Sequence, residues 1–73
     1  MTGMLTGSKL RMIRSYKGIT QAQLAALAKV SASAIAEYEL DKRELRTDTI
    51  RRLCQALGVA VTYTVDGVEI SGP

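Results

Sequence analysis

The stretch that most constrains this fold lies near the middle of the chain, where residues 20–41 read TQAQLAALAKVSASAIAEYELD. Thr20 and Gln23 have the spacing of a capping box, which marks the start of a helix. Three apolar residues then follow at helical spacing as one stripe, and these are Leu24, Leu27 and Ala28. The stretch therefore opens with a short amphipathic helix.

A second short helix follows after a tight turn. Ser31 is placed to cap it, and Ile35 and Tyr38 fall on one face. The small residue Ala25 stands where the two helices must cross closely. The opposite face of the second helix carries Ala32, Ser33, Ala36 and Glu37. Two crossed helices of this kind form a helix-turn-helix unit.

The same stretch resembles the helix-turn-helix of the lambda-repressor and Cro family, whose pattern is roughly T-Q-x-x-L-A-x-x-A-G-V-S-x-x-x-I-x-x-x-E. The resemblance extends from about Leu10 to Val61. Lys29 and Asp41 stand where relatives usually have Gly, and we expect the fold to tolerate both. The matching positions are Thr20, Gln21, Leu24, Ala25, Ala28, Val30, Ser31, Ile35 and Glu39.

Composition sets the remaining limits. A chain of 73 residues is one domain with a small core, and its three aromatic residues are all Tyr, so the core must be aliphatic. With no His and a single Cys, an enzyme, a metal site and a cofactor are not expected. The net charge of +3 slightly favours binding to polyanions. No signal peptide or membrane-spanning segment is evident, which predicts a cytoplasmic protein associated with the nucleoid.

The organisation along the chain has three parts. Residues 1–7 are predicted to be a flexible arm, residues 8–59 the helical domain, and residues 60–73 a hairpin and tail. The first helix should run from Ser8 to Lys17, with Met12 and Tyr16 in ordinary packing. A fourth helix should begin with Thr47 as its N-cap and end at Gly58. The residues expected to face inward from these two helices, or to be buried beside them, are Leu10, Ile13, Ile50, Leu53, Cys54 and Leu57.

Relatives often continue into a fifth helix, but here the sequence alternates apolar and polar residues around Asp66-Gly67. This dipeptide is a strong signal for a two-residue turn, and it predicts a hairpin with Tyr63 opposite Ile70 and Val65 opposite Val68. A hairpin alone is marginal in water. It should either cover the helices of its own chain or pair with the hairpin of a second copy, as in some small antitoxins of the family.

The resemblance implies an all-α fold of four helices with a C-terminal β-hairpin in place of the fifth helix, and it implies roles for particular residues. Base contacts fall on Ala32, Ser33 and Glu37. A structural ion pair is expected between Arg14 and Glu39. Contacts to DNA phosphates are expected from Gln21, Ser31, Lys42 and Arg43.

These features predict a sequence-specific transcriptional regulator, most simply a repressor, that binds a palindromic operator in double-stranded DNA as a homodimer. Two alternatives fit the same residues. One is the antitoxin of a toxin–antitoxin pair, which would bind DNA and also a toxin protein. The other is a protein-interaction module that has kept the fold and lost DNA binding, since an Ala-rich outward face carries no DNA signal by itself.

Overall fold

The computed structural model describes residues 2–64 and 67–71 of the chain. Within these residues the elements follow the order β1 (Thr2–Met4), α1 (Gly7–Tyr16), α2 (Gln21–Ala28), α3 (Ala32–Glu39), α4 (Thr47–Leu57), β2 (Ala60–Thr64) and β3 (Gly67–Ser71). The predicted fold of four helices followed by an antiparallel hairpin is confirmed. No helix in this part of the chain has both the length and the apolar character to cross a bilayer.

The core is aliphatic, as the composition predicts, and every helix contributes to it. The largest fully buried side chains are Leu10, Leu24, Ile35, Leu53, Ile70 and Cys54. Cys54 is packed as a small apolar residue, and this burial raises the pKa of its thiol to about 11. The thiol is therefore held in its unreactive protonated form at neutral pH.

Two helix starts differ from the predicted ones. The first helix begins at Gly7, because the Thr6 hydroxyl accepts a hydrogen bond from the Lys9 backbone N–H at 3.1 Å and caps it. The fourth helix begins at Thr47 itself, so the predicted N-cap role of Thr47 is wrong. Arg46 occupies the cap position and makes no side-chain cap hydrogen bond.

The sheet contains a strand that the sequence did not predict. The order of strands among the described residues is β1-β3-β2, and β1 pairs antiparallel with β3, with Thr2 opposite Ser71 and Met4 opposite Glu69. A flexible arm over residues 1–7 is therefore wrong for Thr2–Met4 and for Gly7, the first residue of α1. The arm was predicted because residues 1–7, which include two Gly and two Thr, show no periodicity. The pairing partner lies more than sixty residues away, at Glu69–Ser71.

The predicted hairpin register is also wrong, by two residues. Tyr63 pairs with Val68, and Val61 pairs with Ile70. Val68 pairs with Tyr63, so the predicted Val65–Val68 pair is wrong. Gly67, which was predicted to lie in the turn, is the first residue of β3 and pairs with Thr64. Val65 and Asp66 lie outside the described residues. A shift of two preserves the faces of the strands, so Val61 and Ile70 still pack on the helices. We attribute the register to this packing and to the pairing with β1. Neither interaction can be predicted from the sequence of the turn.

Three apolar side chains that were expected to pack are exposed. Leu27 is 62% exposed, because α2 buries the stripe of Leu24 and Ala28 and leaves Leu27 at its outer edge. Met12 and Tyr16, one turn apart on α1, are also exposed, Tyr16 to 84%. Helical periodicity identifies the apolar face of a helix, but the packing of neighbouring elements determines how much of that face is buried.

Candidate nucleic-acid interface

The N-termini of α2 and α3 are capped as predicted. The Thr20 hydroxyl accepts from the Gln23 backbone N–H at 3.0 Å, and the Gln23 side chain accepts from the Thr20 N–H at 2.9 Å. The Ser31 hydroxyl accepts from the Ala34 N–H at 3.0 Å. Lys29, between the helices, takes the left-handed conformation with φ of 58°. These local bonds fix where α3 begins and how the chain enters it.

One side of α3 faces solvent. Ala34 and Ile35 are buried in the core, whereas Ala32, Ser33 and Glu37 are exposed. Ala36 is half-buried between them. We call Ala32, Ser33, Ala36 and Glu37 the reading face. The three residues predicted to contact bases therefore share one open surface, which the described part of the hairpin leaves uncovered.

The predicted partners Arg14 and Glu39 are in contact. The Arg14 Nε donates to Glu39 Oε2 at 2.8 Å, and Nη2 donates to Oε1 at 3.0 Å, so the guanidinium holds the carboxylate with two parallel bonds. A third bond joins Arg14 Nη1 to the Ile19 carbonyl oxygen at 2.9 Å. The Glu39 side chain is only 2% exposed. This pair joins the end of α1 to the end of α3.

Gln21, which was predicted to contact phosphate, makes a hydrogen bond within the protein. Its Nε2 donates to Glu39 Oε1 at 3.0 Å, and the residue is half-buried at the first position of α2. Burial by itself would raise the pKa of Glu39, but the hydrogen bonds from Arg14 and Gln21 together with the positive charge of Arg14 and Arg11 lower it below the ordinary value. Glu39 is therefore a carboxylate at neutral pH, bound by two other helices.

Glu37 on the reading face has an unexpected partner. Nη1 of Arg43, in the loop after α3, lies 3.3 Å from Glu37 Oε1, and both side chains are about half exposed. Lys42 is exposed beside Arg43. Arg46, further along the loop, lies 3.6 Å from Asp48 at the start of α4. The loop therefore places positive charge next to the end of the reading face, and one of its cations is already joined to that face.

Two residues of this region were missed by the sequence analysis. Arg11 lies one turn before Arg14 and lines a groove of about 350 Å³ with Gln21, Ala36 and Leu40. Arg11 is exposed, and because it lines this groove together with Ala36 it lies beside the reading face. A sequence signal for Arg11 was present, because residues three apart on a helix share a side, and Arg14 had already been predicted to pair with Glu39 of α3.

The second missed residue is Gly7. It is buried against the end of α3, where an added Cβ would overlap the Tyr38 carbonyl oxygen and lie 2.9 Å from the Glu39 Cα. Only a residue without a side chain fits this approach. A single Gly in a segment without periodicity gives no sequence signal for such a contact.

Comparison with known proteins agrees with this geometry. A protein-family model described as a helix-turn-helix domain matches residues 6–64. The chain is 32% identical over 63 residues to the HTH-type transcriptional regulator RamB of Mycobacterium tuberculosis, covering 86% of this chain and 13% of that protein. It is 34% identical over 62 residues to the immunity repressor protein of Bacillus phage phi105, covering 85% of this chain and 43% of the repressor. The chain thus spans less than half the length of these curated relatives.

A solved structure supports the same likeness. The restriction-modification controller protein C.AhdI from Aeromonas hydrophila superposes with a TM-score of 0.70 at 33% identity. The match covers 71% of this chain and 79% of the controller protein.

Proposed function

The chain belongs to the lambda-repressor and Cro type of helix-turn-helix family, and from this premise we propose that it is a sequence-specific regulator that represses transcription as a homodimer on a palindromic operator. The observation that carries the proposal is the open reading face of α3. Its exposed residues project from a helix whose opposite side is buried in the core. A chromosomal operator would place the protein in the cytoplasm, at the nucleoid.

The reading face has limited chemistry for selecting bases. The Ala32 methyl group can contact a thymine methyl, Ser33 can hydrogen-bond to several bases, and Glu37 can accept from a cytosine amino group. Each such contact contributes at most about 1–3 kcal/mol of discrimination. The small Ala36 allows the helix to lie deep in the groove. Much of the affinity must therefore come from the phosphates.

Phosphate contacts are proposed on both sides of the reading face. Lys42 and Arg43 extend from the loop after α3, and Arg11 extends from α1. Ser31, exposed at the start of α3, can contribute through the free backbone N–H groups of the first turn. Gln21 can bond a phosphate with its second amide hydrogen while the first remains on Glu39.

The homodimer follows from the weak readout by a single helix. Two copies of α3 spaced by one turn of the duplex would double the contacts and would require a palindromic site. Repression is the simplest outcome, because a protein bound across a promoter excludes polymerase by occupying its site. The similarity to an immunity repressor supports this choice.

The test begins with random duplex DNA from which the purified protein retains fragments for sequencing. We expect a palindrome with half-sites about 10 base pairs apart, and an affinity that falls steeply as salt rises. Arg11→Ala should weaken binding to all sequences and reduce the salt slope by about 1. Arg52→Ala removes an exposed arginine outside the Arg11 groove and serves as the charge-matched control. If no DNA is retained even at low salt, the protein is an interaction module instead.

A further inference from the structure

The ion pair between Glu37 and Arg43 has a bearing on which base pair the protein selects. A carboxylate that enters the major groove alone faces phosphates on both sides and is repelled. Here Arg43 lies 3.3 Å from Glu37 Oε1 and cancels that charge at the surface. Half of each side chain is exposed, so the pair can reach a duplex without any rearrangement of the core.

The geometry of the loop keeps Arg43 in this position. Asp41 takes a left-handed conformation with φ of 62°, and its backbone N–H donates to the Tyr38 carbonyl at 3.0 Å. The Lys42 N–H donates to the carbonyl of Glu37 itself at 2.9 Å. The chain is thereby turned back over the end of α3, which brings the next residue beside the reading face.

One oxygen of Glu37 remains available. Arg43 uses Oε1, and the described residues supply no hydrogen-bond donor to Oε2. The major groove offers two exocyclic donors, the cytosine N4 amino group and the adenine N6 amino group. Adenine N7 lies next to N6 and is an acceptor, so it repels a carboxylate that approaches adenine. Cytosine is the better partner for Oε2.

We propose that Glu37 and Arg43 act as one unit that selects a C·G base pair at one position of each half-site. Glu37 Oε2 accepts from the cytosine amino group, and Arg43 bridges Glu37 Oε1 to a phosphate with its remaining donors. Arg43 is then a specificity-determining residue as well as a backbone contact, because without it the carboxylate is excluded from the groove. This inference rests on the proposed DNA-binding function.

The experiment measures binding to the selected operator and to duplexes that carry each of the four base pairs at every half-site position. Wild type should prefer C·G at one position by about 10-fold, within the range of a good base contact. Glu37→Gln should move that preference to A·T, because an amide can donate to N7 and accept from N6 of adenine. Glu37→Ala should abolish the preference while the protein still binds the duplex.

The role of Arg43 is tested by comparing the loss of DNA affinity in Arg43→Ala with the loss in Lys42→Ala. Arg43→Ala should weaken binding at least 5-fold more than Lys42→Ala, because it leaves the Glu37 charge uncompensated as well as removing a phosphate contact. Adding Glu37→Ala to Arg43→Ala should recover part of the loss. An unchanged base profile in Glu37→Gln, or equal losses for the two cation variants without recovery, would overturn the inference while DNA binding stands. Failure of wild type to retain any DNA would overturn the proposed function with it.

Discussion

Glu39 shows how one buried residue can hold α3, and with it the exposed face of that helix, in position. Its carboxylate accepts from Arg14 of α1 and from Gln21 of α2, so three helices meet at one side chain. A buried charge of this kind is tolerated only when it is paired, and removing one partner typically costs about 3–5 kcal/mol. The pair is therefore a structural requirement at one edge of the reading face.

Replacing Glu39 by Gln should lower the free energy of unfolding by about 3 kcal/mol at pH 7 and the melting temperature by more than ~10 °C. Because folding lowers the pKa of Glu39, its stabilising contribution is complete above the ordinary Glu value of about 4.3. The contribution is lost as the pH falls through the folded pKa, so wild type and Glu39→Gln should converge in acid. Urea unfolding at several pH values measures this difference.

The exposed Glu44 supplies the matched control for this series. Glu44→Gln should change the unfolding free energy by less than about 0.5 kcal/mol at any pH. A constant gap between wild type and Glu39→Gln from pH 7 to pH 3 would show that the Glu39 charge does not carry the stability.

At the scale of elements, the four helices of the described residues end in the same way. In each, a residue with positive φ is followed by a backbone N–H that donates to a carbonyl five residues earlier. The donor and acceptor pairs are Ile19 and Arg14, Val30 and Ala25, Lys42 and Glu37, and Val59 and Cys54. The residues with positive φ are Gly18, Lys29, Asp41 and Gly58. The two non-glycine residues, Lys29 and Asp41, lie in the turns on either side of α3, so both of these turns carry some backbone strain.

Lys29→Gly should therefore stabilise the protein, by about 0.5–1 kcal/mol, because Gly adopts φ of 58° without steric cost. Asp41→Gly should give a smaller gain, because Asp tolerates this conformation better than Lys. Chemical denaturation of each variant measures the effect. Lys29→Ala removes the same charge and keeps a Cβ, so equal stability of the Gly and Ala variants at position 29 would argue against backbone strain.

At the scale of the whole molecule, the first residues tie the sheet to α3. Strand β1 pairs with β3, which packs through Ile70 on the helical core. Three residues after the end of β1, Gly7 lies against the backbone of Tyr38 and Glu39 at the end of α3. Residues near the start of the chain thus contact both β3 and the end of α3.

Gly7→Ala should destabilise the fold by about 1–3 kcal/mol, since the new methyl group overlaps backbone atoms that cannot rotate away. The direction of this stability change is informative, because Gly→Ala within a helix normally stabilises a protein by about 0.5–1 kcal/mol. Thermal unfolding measures the change, with Ser8→Ala at the exposed neighbouring position as the control. A gain in stability for Gly7→Ala would show that α1 and α3 do not approach this closely.

The sequence by itself was sufficient to predict interactions between residues a few positions apart. The Thr20 capping box and the Ser31 cap each join groups three residues apart, so spacing alone predicts them. The left-handed conformations at Lys29 and Asp41 followed from their alignment to glycines in the resemblance. The contact between Arg14 and Glu39 spans 25 residues, and it was predicted from the family resemblance and not from spacing.

Only the tertiary structure decided what depends on which elements meet. Leu27 is exposed, β1 joins the sheet, and the hairpin register is shifted by two, because each outcome depends on partners distant in the chain. The pairing of Glu37 with Arg43 depends on how the loop folds back over α3. Local free energies of about 1 kcal/mol specify caps and turns, whereas burial and long-range pairing choose among the arrangements that those turns permit.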